Sequence, residues 1–295
     1  MMRIPVWMLL VGVALALLGV VIVGMAIIDP NTALVADAGF EFDTITPNAD
    51  GDHDIVPFSY HLSRPAVVTL MFADTAGREF TLRDNQDRVP GDHNFLFSGV
   101  VDGFSQPGDI VDGTIERRLI PDGEYTWTLT AIGSQRDETE TRTGKLIVTD
   151  GDVHLPAITS FAMTTQTFTP NQDGVSDRVG MSVVVAKEAD VRAYLLSPDG
   201  DRFSIAPRED DREDEEGFRY DFDYEGGIDA GADPPPDGTY QILIEAQDKV
   251  GQRVTRLSEL TIVDGGKPYA EIVGQSVGRD VVLVSKPYED RYFSS

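Results

Sequence analysis

The sequence predicts an all-β chain, two tandem sandwiches carried behind one N-terminal transmembrane helix. Three observations lead there. The chain opens with a 25-residue stretch free of charge, Ile4 to Ile28. A unit bounded by the same motifs then occurs twice, and within each unit apolar residues alternate with period two. Composition limits the chemistry: 295 residues contain no cysteine, and 50 Asp plus Glu against 24 Lys plus Arg give a formal net charge of −26. Without thiols there is no disulfide framework, thiolate metal site or cysteine-ligated cluster. So acidic a chain also lacks the clustered Lys and Arg that draw a protein to nucleic acid.

The opening stretch exceeds the roughly 20 residues that a helix needs to cross a bilayer core. A cleaved signal peptide would have an apolar region of only about 7 to 15 residues, so an uncleaved anchor is expected at residues 4–28. Arg3 is the one charged side chain before it, and every acidic residue lies beyond it. The positive-inside rule therefore places residues 1–3 in the cytoplasm and the bulk of the chain outside the cell membrane. Trp7 sits where an interfacial aromatic would anchor the helix. Gly12, Ala16 and Gly19 line one face with small residues, a groove that could admit a partner helix.

A linker, 29–39, leads into the repeats. ITPNADGDHD, Ile45 to Asp54, returns as FTPNQDGVSD, Phe168 to Asp177, at an offset of 123 residues. Val56, Phe58, Tyr60 and Leu62 alternate along one strand, and Val179, Met181, Val183 and Val185 match them. Val68, Leu70 and Phe72 correspond to Val191, Ala193 and Leu195, followed by Gly77 and Gly200 in turns. PDGEYTWTLTA, Pro121 to Ala131, pairs with PDGTYQILIEA, Pro236 to Ala246, but at an offset of 115. The length difference must lie in the intervening connection, which in the first repeat is the Gly-rich stretch from Val100 to Gly113. Tyr125, Trp127 and Leu129, or Tyr240, Ile242 and Ile244, face a core on the strand after each Pro-Asp-Gly turn. Units 40–151 and 161–266 follow, joined by a linker, 152–160, and trailed by an extension, 267–295.

The motif order Thr-Pro-Asn-x-Asp-Gly-x-x-Asp, alternating strands, Pro-Asp-Gly-x-Tyr and a closing strand resembles the Ig-like domain family of the flagellar hook-capping protein and its bacterial surface relatives. The resemblance implies two tandem Ig-like β-sandwiches and an interaction role without catalytic residues. Where family members often carry Trp-Asp-Gly, this chain has Phe97, Ser98, Gly99 and Tyr224, Glu225, Gly226.

Two chemistries compete for the opening loops. Asn48, Asp50 and Asp54, with Asn171, Asp173 and Asp177, present oxygens around a glycine as calcium loops do, though without the downstream bidentate Glu of an EF-hand. The alternative is an Asx turn that spends the same oxygens on backbone amides. His53 stands beside Asp52 and Asp54, and the acidic run from Glu209 to Glu216 reads as a solvated loop. No motif with a catalytic mechanism occurs, so neither an enzyme nor a small-molecule substrate is expected, and no cofactor beyond calcium. In the extension, Ala270 to Val273 and Val281 to Val284 suggest a hairpin, and Tyr288, Tyr292 and Phe293 could fill pockets on a neighbouring protein. The expected function is an accessory or scaffolding subunit of a larger membrane complex, respiratory or photosynthetic assemblies included. The alternative is a stand-alone cell-envelope adhesion or interaction module.

Overall fold

The computed structural model describes residues 32–134, 138–171, 175–197, 199–208, 218–226 and 235–265. The expected span 4–28 and the extension 267–295 lie outside them. Among the described residues every regular element is a strand, and no helix is long and apolar enough to cross a membrane.

The first repeat contains β1 (Val35–Phe40), β2 (Thr44–Ile45), β3 (Val56–Leu62), β4 (Ala66–Asp74), β5 (Glu79–Arg88), β6 (Gly91–Phe97), β7 (Val100–Asp102), β8 (Thr114–Leu119), β9 (Gly123–Gly133) and β10 (Thr139–Val148). One sheet runs β1-β3-β6 and faces a second that runs β2-β10-β9-β4-β5. The second repeat contains β11 (Ile158–Met163), β12 (Thr167–Phe168), β13 (Val179–Val185), β14 (Asp190–Leu196), β15 (Arg202–Ile205), β16 (Phe218–Tyr224), β17 (Gly238–Gln247) and β18 (Arg253–Ile262). Its sheets are β11-β13-β16 and β15-β14-β17-β18, with β12 beside β18.

Period-two alternation builds both cores, because successive side chains leave a strand on opposite faces. Val56, Phe58, Tyr60 and Leu62 of β3 are buried, as are Val68, Leu70 and Phe72 of β4. In the second repeat Val179, Met181, Val183 and Val185 of β13 meet Val191, Ala193 and Leu195 of β14. The first core is the more aromatic. Phe58 stands edge-on to Trp127 with centroids 5.2 Å apart, and Phe72 stacks on Phe97 at 4.8 Å. Trp127 can lie across β10 because residue 144 is glycine: a Cβ there would come within 2.4 Å of the indole ring.

Two local devices recur and explain why the motifs recur together. The Tyr125 hydroxyl donates to the carbonyl of Pro121 at 2.6 Å, and that of Tyr240 to Pro236 at 2.7 Å. This is the tyrosine corner of Ig-like sandwiches, placed at the start of the strand that bears it. The Asp of each Pro-Asp-Gly turn then holds the exit of the last strand. Asp122 accepts from the amides of Asp150 and Gly151, both at 3.0 Å, and Asp237 from that of Gly265 at 2.7 Å. With the parallel pairing of β2 on β10 and of β12 on β18, these corners identify each unit as an Ig-like sandwich.

Phe97 and Tyr224 are both buried, and the Tyr224 ring meets Phe168 at 5.4 Å. β1 and β11 begin upstream of the expected unit starts at residues 40 and 161. Each carries an irregularity that breaks its alternation, between Ala36 and Gly39 in β1, where Asp37 has φ 51°, and between Ile158 and Ser160 in β11.

Burial, with the Asp74 carboxylate nearby, pushes the Tyr125 phenol up to about 12. The unfolded chain would lose this proton near pH 10 and the folded chain only near 12, so the corner's contribution is intact below pH 10 and is lost as pH rises through 12. Tyr125→Phe should cost about 1 kcal/mol at neutral pH, the net worth of one hydrogen bond. It should also flatten the fall in stability between pH 10 and 12. Urea unfolding of both proteins across that range checks the two effects together.

Candidate functional site

The two sandwiches share a sheet. β18 is flanked by β17 on one side; its other edge is covered by β12 at Thr261 and Ile262 and by β8 of the first repeat at Arg253, Val254 and Thr255. The β7–β8 segment is the longer connection of the first repeat, and it explains the change of register between the motifs. β7 pairs with β8 through Val100 and Leu119, Val101 and Arg118, and Asp102 and Arg117. Val111 and Ile115 pack against the second core, whereas Phe104 packs against the first. Half-burial of two aliphatic side chains is worth roughly 1 to 2 kcal/mol each. The backbone pairing adds direction to that contact.

Several groups fix the segment's shape. Arg118 is buried, donates to the Phe104 carbonyl at 3.1 Å and to Asp109 Oδ1 at 2.9 Å, and lies over the Phe104 ring. That guanidinium holds the Asp109 carboxyl below the usual carboxylate range. Gly113 brings β8 against β18: its φ is +151°, and a Cβ would sit 2.2 Å from the Thr255 carbonyl oxygen. Side chains then tie the two strands, Arg256 to Asp112 at 2.9 Å and Thr255 to Glu116 at 3.3 Å.

Behind the shared strand lies a buried polar cluster. Gln252, fully buried, accepts from the Leu119 amide of the first repeat at 3.2 Å and donates to the carbonyls of Asp152 and His154 at 2.9 and 2.8 Å. One side chain thus touches the first sandwich, the linker and the second sandwich. Asp248 accepts from the Gln252 amide and side chain, both at 2.8 Å. Lys187 places its ammonium between Asp248 at 2.8 Å and Asp152 at 2.7 Å and also donates to the His154 carbonyl. Such a cluster is specific rather than merely adhesive, since every buried donor and acceptor must find its partner in one arrangement.

The first opening loop is built by the oxygens proposed from sequence as calcium ligands. Asp54 accepts from the amides of Asn48, Ala49 and Gly51 at 3.0, 2.6 and 2.7 Å. Asn48 Oδ1 accepts from the Asp50 amide at 3.0 Å, and Asp50 Oδ1 from that of Asp52 at 2.8 Å. These are Asx turns. His53 Nδ1 lies 2.7 Å from Asp52. In the second loop Asn171 is buried and Asp177 is described, whereas Asp173 lies outside the described residues. Among the described residues no group of three or more His, Asp or Glu is placed to hold a metal ion. Gly12, Ala16, Gly19, Tyr288, Tyr292, Phe293 and the run from Glu209 to Glu216 all lie outside the described residues.

No family model matches the chain, and no curated protein matches it. Among solved structures, a tetra-tandem repeat from the extending region of a large adhesion protein is 15% identical, covers 78% of this chain and 50% of its own, and has a TM-score of 0.24. This chain therefore spans half the length of that structure. The D00-D0 domain of intimin is 8% identical over 78% of this chain and 100% of its own, with a TM-score of 0.24. A bacterial ice-binding adhesin, described for host cell surface retention, is 14% identical over 77% of this chain and 64% of its own, with a TM-score of 0.25. At such scores these likenesses carry no argument, and the fold assignment rests on strand pairing and the two corners.

Two predictions follow from this geometry. Gln252→Ala would leave the Leu119 amide and the Asp152 carbonyl without this partner, while the His154 carbonyl keeps Lys187. It should cost about 2 to 3 kcal/mol and speed hydrogen exchange at Leu119; an unchanged exchange rate would show that the amide is protected by something else. With the first-loop oxygens already committed to amides, melting curves in excess Ca²⁺ and in chelator should coincide. A rise in melting temperature with Ca²⁺ would instead reveal native-state binding.

Proposed function

We propose that this chain is a non-enzymatic cell-envelope interaction module, anchored by residues 4–28, whose two extracytoplasmic Ig-like sandwiches form a stiff spacer. The observation that carries the reading is the pairing of β8 with β18. Two domains that need only be tethered can use a flexible linker. Here a strand of one completes a sheet of the other, and the linker carbonyls of Asp152 and His154 are bonded from the second repeat. Stiffness is useful to a module that must hold a binding surface away from the membrane. It is not required of a subunit already positioned by a larger complex.

The accessory-subunit reading rests on the Gly12, Ala16, Gly19 face and on Tyr288, Tyr292 and Phe293, none of which the described fold draws upon. Mild-detergent purification separates the two readings: the interaction module should emerge without a stoichiometric companion. A second chain retained at fixed ratio would return the assignment to an accessory subunit.

Stiffness itself is measurable, because a chain without cysteine can be spin-labelled uniquely at Ser59→Cys and Thr239→Cys, one exposed site on each sandwich. Pulsed electron spin resonance should give one narrow distance distribution. Gly113→Val, which forces a side chain into the Thr255 backbone, should broaden it while each sandwich keeps its own melting transition. A broad distribution in the parent chain would refute the spacer.

A further inference from the structure

The open side of the first sandwich, between β5 and β6, is filled by arginines. Leu70 of β4 points inward and pairs with Arg83; inward Val68 pairs with Gln86 and Ala66 with Arg88. These three β5 positions therefore project into the space between the sheets. Arg83 lies 4.4 Å over the ring of Phe95 from the facing sheet. His93, also on β6, stacks on Tyr60 at 5.0 Å. Arg83 Nη1 and Arg88 Nη2 both donate to one neutral acceptor, Gln86 Oε1, at 2.9 and 2.5 Å. Their Nε atoms are buried without a partner among the described residues. Among the described residues no carboxylate stands within ion-pair distance of either guanidinium, although the chain as a whole carries 50 acidic residues.

The fold does not require this arrangement. Leu70 corresponds to Ala193 of the second repeat, and Ala193 pairs with Ile205, a buried aliphatic, where Leu70 pairs with Arg83. The same sandwich thus closes its open side with an ordinary core residue. In the first repeat two like charges are instead held together, and burial, with the repulsion of Arg88, lowers the Arg83 guanidinium from its usual range. An incoming anion would relieve both effects.

We propose that Arg83 and Arg88 form an anion slot that takes the carboxylates of an acidic peptide segment. The guanidinium fork matches a carboxylate's two oxygens, and the Phe95 ring lies beneath the Arg83 guanidinium. Two sources share this chemistry, an acidic segment of a second copy of this chain or one on another protein. The proposal is independent of the spacer reading, since the slot lies within one sandwich.

Fluorescence anisotropy of a labelled hexaglutamate peptide tests it on this chain at physiological ionic strength, where long-range repulsion is screened. The parent chain should bind, and Arg83→Gln and Arg88→Gln should each weaken binding by about tenfold, the loss of one charge-assisted contact. Because either variant could lose its fold, the Arg Nε–H resonances of the parent chain are read as well, and those of Arg83 and Arg88 should shift on adding the peptide. Sedimentation distinguishes the sources: self-association abolished by Arg83→Gln identifies a second copy, whereas a monomer that binds the peptide identifies another protein. Absence of hexaglutamate binding, equal binding by both folded variants, or unmoved Arg83 and Arg88 resonances would overturn the proposal.

Discussion

An unpaired strand edge presents amides and carbonyls that must be paired, covered or solvated. On β18 that requirement is met from three directions, by β17, by β12 and, at Arg253 to Thr255, by β8 of the other repeat. Much else depends on this last pairing. It brings Val111 and Ile115 onto the second core, and it sets Leu119 where Gln252 can accept its amide proton. It also demands glycine at 113, because no side chain fits against the Thr255 carbonyl. Removing β8 would expose an edge, uncover apolar surface and take the donor from a buried glutamine oxygen at once.

The polar cluster behind that edge does a different job from the apolar contact in front of it. Lys187 is largely buried between Asp152 and Asp248, and Asp248 is almost inaccessible. Desolvating such groups costs nearly as much as their attraction returns, so the net contribution to stability is small. What they contribute is uniqueness. A sliding or rotated junction could keep Val111 and Ile115 in apolar surroundings, but it would part the Leu119 amide from the buried Gln252 oxygen. Apolar burial holds the repeats together, and the hydrogen-bonded charges select one geometry.

Most of each sandwich was legible because its information is local. Alternation at Val56 to Leu62 and Val179 to Val185 marks a strand with one buried face, and a Pro-Asp-Gly-x-Tyr string writes a tyrosine corner within five residues. The junction was not legible in that way. β8 reads TIERRL, with no strong alternation, and its partner lies over a hundred residues away; the only trace was the unequal spacing of two motif pairs, 123 against 115. Gln252 and Lys187 carried no signal, since a polar residue beside a turn normally faces water. In the first opening loop sequence could not decide between amides and a cation for the oxygens of Asn48, Asp50 and Asp54. Distances to the Asn48, Ala49 and Gly51 amides show where those oxygens point. Arg83 escaped notice because two register shifts in the β4–β5 pairing displace it from simple alternation.

Charge then shapes what this chain can meet. A net charge of −26 repels other acidic surfaces at long range, but screening confines that repulsion to roughly 8 to 10 Å at physiological ionic strength. Inside that distance the local field counts, and at the open side of the first sandwich it is set by Arg83 and Arg88, with Arg117 adding to it. Added salt therefore acts on two terms of opposite sign. It weakens the long-range repulsion between an acidic partner and the whole chain, which raises the encounter rate, while contacts half-buried against Phe95 and Tyr60 are screened much less. An acidic chain can in this way discriminate by shape: a broad negative surface is held off by the whole molecule, and a short projecting carboxylate segment reaches the two arginines.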